Sequence, residues 1–176
     1  MNIEALLSDK INMPQLKSVV SWACGTQENL HRLWEMVHSD DRRTSANALW
    51  AMTHLPDYNR EWISSLRDDM IDMLLAETDT GKKRMLLHML REQEYDAEHI
   101  RTDFLDYCLS KINSEHEPYA IRGYSIYASF KMCRHYPELL AELDQQLDLL
   151  SYQSLSPGLM SALRQTKSRI SRLKPV

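Results

Sequence analysis

Arg84, His88 and Arg91 are spaced i, i+4, i+7, which places them on one face of a helix. A phosphate or a carboxylate suits such a group, because a guanidinium donates two parallel hydrogen bonds to either. Arg122 holds a comparable place further along, with Tyr124 close by. A plain solvated helix face produces the same pattern. His31, Glu35 and His38 also share a face, and that spacing permits a metal site. The HExxH order is absent, however, and no metal or other cofactor is expected. Tyr119, Tyr124, Tyr127, Phe130 and Tyr136 cluster near Arg122 and Arg134. Interleaved aromatic and basic residues stack bases or clamp a peptide, although Tyr127 and Phe130 read as core beside Ile126. Met70, Met73, Met85 and Met89 read either as an adaptable surface or as core filler. GxSxG, P-loop and GxGxxG patterns are missing, so no catalytic residue is assigned and the chain reads as non-enzymatic.

The chain around these residues reads as helical. Its 176 residues suit one domain and suffice for a sizeable core. Glycine (4) and proline (6) are scarce, which fits helices with short turns. Alternating apolar–polar runs are lacking. Cys24, Cys108 and Cys133 are odd in number and show no CxxC spacing, which points to a reducing compartment, the cytoplasm. The opening MNIEALLSDKINMP has no apolar stretch of signal length, and no run approaches the roughly 20 apolar residues of a membrane span.

Polar turns cut the chain into helical stretches. Residues 2–10 and 14–24 read as a short pair, with Pro14 in a first helical turn and Gly25 as the residue after a helix end. Stretches 27–38, 58–76, 82–93, 97–113, 119–134, 138–150 and 159–173 carry apolar faces at helical spacing. Between the first two, SDDRRTSANALWAMTHL places Ala46, Leu49, Trp50 and Thr53 on one face, offers Asp40 or Asp41 as a cap, and ends at Pro56. Leu49, Leu66, Leu90, Phe104, Ile126 and Leu147 are expected in the core.

The second helices align as Ala46–Leu49–Trp50, Leu86–Met89–Leu90, Gly123–Ile126–Tyr127 and Met160–Leu163–Arg164, at offsets of 40, 37 and 37 residues. Two helices per repeat of that length is the period of HEAT and armadillo arrays. The chain resembles a HEAT-like helical repeat protein over roughly residues 27–173. Arg43, Lys83 and Arg122 approximate the family's basic rung, although Arg122 falls one residue late. The resemblance implies an all-α, right-handed α–α superhelix of about five antiparallel helix pairs. Its units would be a short N-terminal pair (1–25) and repeats 27–55, 57–93, 96–134 and 137–173, forming one domain over 1–176.

Charge is sorted by helix. Segments 41–54, 80–93, 117–134 and 156–174 hold 14 Lys and Arg against three acids, or +11. The rest of 26–155 holds 20 acids and 5 bases, or −15, although the whole chain is only −4. Second helices line the concave side of HEAT-like arrays, so the resemblance implies a basic inner surface that steers an anionic partner. The binding residues this nominates are Arg42, Arg43, Lys82, Lys83, Arg84, His88, Arg91, Arg122, Tyr124 and Arg164. Arg42, Arg43, Lys82, Lys83 and Arg84 fall at helix starts, where the helix dipole disfavours cations, so a partner is the reason suggested for them. The expectation is a scaffold or adaptor that binds a protein or peptide partner through an acidic or amphipathic segment, and no membrane. The alternative is a nucleic-acid-binding module related in architecture to helical-repeat DNA alkylation-repair proteins. Those enzymes need an acid on the inner face, whereas Asp41, Glu92 and Glu117 sit at segment ends here. Oligomeric state has no signal in the sequence.

Overall fold

The computed structural model describes residues 2–173. They form eleven α-helices: α1 (Ile3–Leu7), α2 (Met13–Ala23), α3 (Gln27–Val37), α4 (Arg42–Met52), α5 (Arg60–Ser65), α6 (Arg67–Ala76), α7 (Thr80–Arg91), α8 (Thr102–Ile112), α9 (Tyr119–Cys133), α10 (Pro137–Leu150) and α11 (Pro157–Leu173). Single 3-10 turns at Asp57–Asn59 and Ala97–His99 lead into α5 and α8. No strand occurs among the described residues.

Side-chain caps start many of the helices. Asn12 and Gln15 form a reciprocal capping box on α2, Thr26 caps α3, Asp41 caps α4 and Asp79 caps α7. Short connections fold each helix back on its neighbour, so α3 packs on α4, α6 on α7, α8 on α9 and α10 on α11. The second helices α4, α7, α9 and α11 also pack on one another in that order, and α8 packs on α6 and α10. This is a two-layer stack of helical pairs. The N-terminal helices differ from the expected pair, because α1 leans on α4 and α2 on both α3 and α4.

All six residues expected in the core are buried. The stretch expected as one helix over 58–76 is broken at Leu66, whose φ −93° and ψ 2° leave the helical range. Its cause is the Ser64–Ser65 pair: Ser65 Oγ donates to the Trp62 carbonyl and Ser64 Oγ to Gln93 Oε1. On α4 the buried stripe is Ser45, Ala48, Leu49 and Met52, rotated from the expected face. Small residues fill the line where α4 meets its neighbours, and Ser45 Oγ donates to the Val37 carbonyl. Trp50 is thereby moved to the rim, half-buried. α11 starts at Pro157, two residues before the expected start, and residues 97–101 form a turn and a linker rather than part of α8. Gly25 follows the end of α2 without the positive φ of a left-handed cap. It is small for another reason, since a Cβ there would stand 3.1 Å from the Trp22 carbonyl oxygen.

The central helix is α9, which touches α7, α8, α10 and α11. It is buried on nearly every side, and Gly123, Ser125, Ala128 and Ser129 let its neighbours approach. Its less buried line is narrow: exposed Tyr119 at the start, half-buried Ala120, Tyr124, Tyr127 and Lys131, and exposed Arg134 just past the end.

Candidate binding surface

Many of the cations nominated from the sequence turn inward or sideways. Asp41 accepts from Thr44 N–H and Oγ at the start of α4. The next residue, Arg42, donates to Asp79, the cap of α7, and that bond holds the Asp79 carboxyl below its usual range. Lys82 pairs with Glu77 at 3.0 Å, both side chains being mostly covered. Arg122 is 2 % exposed. Its Nε donates to the Ile112 carbonyl at 2.9 Å, satisfying the C-terminal end of α8, and its Nη2 donates to Gln153 Oε1. Gln153 reaches the carbonyl and amide oxygens of Asn113, and Asn113 donates to Gln146. Arg122 thus lies inside the stack, off the surface expected for it.

The rung of the repeat is therefore Arg42, Lys82 and Arg122, evenly spaced, rather than Arg43, Lys83 and Arg122. Each ties one unit to its neighbour or to the turn of its own unit. This explains cations at helix starts without a ligand, because an adjacent cap or turn acid offsets the dipole at Arg42 and Lys82. Further bases are spoken for as well. Arg43 lies 3.9 Å from Asp9, Lys131 and Arg134 reach Glu94, and Lys167 reaches Asp144 and Asp148.

What stays available is a band across the second helices. On α7, Arg84 is exposed, and Arg91 lies over the rings of Tyr124 (4.6 Å) and Tyr127 (5.6 Å) of α9. The His88 ring meets Tyr124 at 5.6 Å. Trp50 of α4 and His54, just past its end, make an edge-to-face pair. On α11, Gln165 accepts from the Tyr127 hydroxyl and Arg169 lies over Phe130. Trp50, His54, Gln165 and Arg169 were not among the binding residues nominated from the sequence. For the α11 pair the signal was available: residues 165 and 169 share a face, and Arg164 sits on the flank of Lys167, which points to α10. Arg164 instead contacts the Met160 sulfur at 3.0 Å.

The band has two depressions. One is a hole of about 250 Å³ between α4, α5 and α7, whose floor includes Met52, Leu55, Ile63 and Met89 and whose rim includes His88, Glu92 and the Asp57–Arg60 pair (3.5 Å). The other is a groove of about 470 Å³ at the start of α11, lined by Arg91, Tyr119, Tyr124, Tyr127, Gly158 and Ser161 among others, with no acid. Arg91 Nε lies 3.3 Å from the Glu92 carboxylate without hydrogen-bond geometry, and no acceptor satisfies it. Burial first, then Arg91 and His54, hold the His88 imidazole below its usual value against the opposing pull of Glu92. His88 is thus neutral at pH 7.

Other sequence candidates have packing roles. His31 packs edge-on against Trp62 and His38 against Trp34. Burial pushes the Cys133 thiol up to about 12, and Cys108 is raised too, so neither is a ready nucleophile. Of the second-segment acids, Asp41 caps α4, Glu117 pairs with Lys111 at 2.7 Å, and Glu92 stands beside Arg91. No helix among the described residues is long and apolar enough to cross a membrane.

Neither the curated proteins nor the solved structures contain a match to the chain. The family described as the HEAT repeat domain matches residues 3–170. With paired helices, a layer of successive second helices and a rung linking the units, this chain belongs to the HEAT repeat domain family.

Proposed function

We propose that the chain is a non-enzymatic helical-repeat adaptor that binds an acidic protein or peptide segment along its second helices. The observation carrying this reading is Arg91, spread over Tyr124 and Tyr127 beside exposed Arg84, with no acid in the adjoining groove. A guanidinium held over aromatic rings is pre-positioned for a carboxylate, and part of its cost in side-chain entropy on binding is already met. Tyrosine and arginine are also the residues that concentrate binding energy at interfaces. The buried thiols fit a reducing compartment such as the cytoplasm.

Nucleic-acid binding is the competing reading, favoured by the arginine–tyrosine stack, a geometry that also stacks bases. Against it stand the burial of Arg122, the covering of Lys82, and the pairing of Arg42, Lys131, Arg134 and Lys167 with acids of this chain. A phosphate track needs several free cations in line. Fluorescence anisotropy with a Glu-rich peptide and with a short DNA duplex, each at 50 and 200 mM salt, separates the two. The adaptor reading predicts peptide binding that Arg84→Glu weakens and duplex binding that vanishes at the higher salt. Tight duplex binding at 200 mM salt without peptide binding would overturn it.

A further inference from the structure

We propose, resting on the adaptor reading above, that the acidic segment is rich in proline and lies as a polyproline II helix over a row of rings that crosses the second helices. The row is continuous. Trp50 meets His54 just past the end of α4, with ring centroids 6.0 Å apart. His54 is close enough to act on the charge of His88 on α7. The His88 ring meets Tyr124 of α9 at 5.6 Å, Arg91 lies over both Tyr124 and Tyr127, and the Tyr127 hydroxyl reaches Gln165 of α11 at 3.4 Å.

Three modes of peptide capture make different demands on a surface. Adding a strand needs a free sheet edge, and no strand occurs among the described residues. Seating an amphipathic helix needs a continuous apolar groove, whereas here an imidazole, a guanidinium and an amide alternate with the rings. A polyproline II segment docks in an aromatic-lined groove, and Tyr119, Tyr124 and Tyr127 line the one at the start of α11. The backbone of such a segment has no internal hydrogen bonds, so its carbonyls are free to accept. Trp50 Nε1–H and the Tyr124 hydroxyl are the donors that meet them. Both side chains are half-buried, and neither polar group is enclosed or bonded to another described residue. Proline holds the segment in this form beforehand, so little chain freedom is lost on binding.

Two further observations define the partner. Arg91 lies over both tyrosine rings and takes ring face that a stacked base would use. Besides Arg91, three exposed cations flank the row: Arg84 one turn before His88, Arg164 beside Gln165, and Arg169 one turn after it. None of the three pairs with an acid of the described chain. Acidic residues between the prolines meet these cations.

The test is fluorescence anisotropy of the full chain with two labelled peptides, four Glu-Pro-Pro repeats and four Glu-Ala-Ala repeats, at 50 mM salt. Their charge and its spacing are the same, but the first holds polyproline II and the second favours a helix. The proline peptide should bind about tenfold more tightly. Trp50→Phe and Tyr124→Phe each keep a ring and remove one donor. Each should weaken the proline peptide about three- to tenfold, the scale of one hydrogen bond, and leave the alanine peptide unchanged. Equal or tighter binding of the alanine peptide, or proline-peptide affinity unchanged in both variants, overturns the polyproline inference while the adaptor reading stands. Binding of neither peptide at millimolar concentration overturns both, as does a single strand of oligo-dT bound more tightly than either.

Discussion

Replacing Arg122 by alanine should destabilise the fold severely, although sequence reading assigned that residue to a surface. Its guanidinium is enclosed and donates to the Ile112 carbonyl and to Gln153. Hydrogen bonds to charged groups contribute ~1.5–3 kcal/mol each, and a buried acceptor left unpaired costs ~1–3 kcal/mol. The alanine variant strands the last carbonyl of α8 and frees Gln153, which in turn holds Asn113. The two losses share one side chain and do not simply add, so the expected cost is ~3–5 kcal/mol from the two lost bonds and the stranded acceptors. Arg122→Lys keeps the charge but cannot make both bonds with the same geometry, and should lose about half as much. Equilibrium urea melts followed by circular dichroism measure both. At this chain length each kcal/mol corresponds to roughly 2–4 °C in thermal midpoint. A loss below about 1 kcal/mol for Arg122→Ala, a value ordinary for surface changes, would refute the assignment of Arg122 to an internal rung.

Arg84→Ala should change stability by less than ~0.5 kcal/mol in the same melts, because Arg84 is exposed. Leu90→Ala should cost ~2–5 kcal/mol, Leu90 being fully buried. Asp41→Ala removes the cap of α4 and should cost ~1 kcal/mol. His88 has a lowered folded value, so the unfolded chain binds the proton more readily and stability rises with pH through that window. The contribution is present above the unfolded imidazole value and is lost as pH falls through the folded one. His88→Asn should flatten this acid limb in melts taken across pH 5–8, with Arg91 of α7, Glu92 at its end, His54 past the end of α4 and Tyr124 of α9 unchanged around it. Iodoacetamide should label half-exposed Cys24 before buried Cys108 and Cys133, as peptide mass mapping would read.

Most of the stack was legible from periodicity alone. Leu86, Leu90, Phe104 and Ile126 lie on faces that helical spacing marks plainly, and polar turns mark the helix ends. The break at Leu66 was not, because a serine pair bends a helix only when its hydroxyls find partners, and Ser64 finds Gln93 across the fold. The surface was harder to read. A sum of charges along second helices cannot tell Arg84, which faces solvent, from Lys82, which bends back to Glu77 only three residues before its own helix begins. Arg122 looked one residue late because it was aligned with Arg43 and Lys83 rather than with Arg42 and Lys82. The hole is a tertiary product of Met52, Ile63 and Met89, three residues from three helices that no spacing along the sequence brings together.

The central claim is that an acidic segment lies across the second helices. The most direct measurement is a nitrogen-15 amide spectrum of the whole chain, titrated with a Glu-rich peptide. The account predicts shifts concentrated at Arg84–Arg91, Tyr124–Tyr127 and Gly158–Ser161, with α3, α8 and α10 unmoved. Shifts confined to the first-helix layer, or none at millimolar peptide, would contradict it.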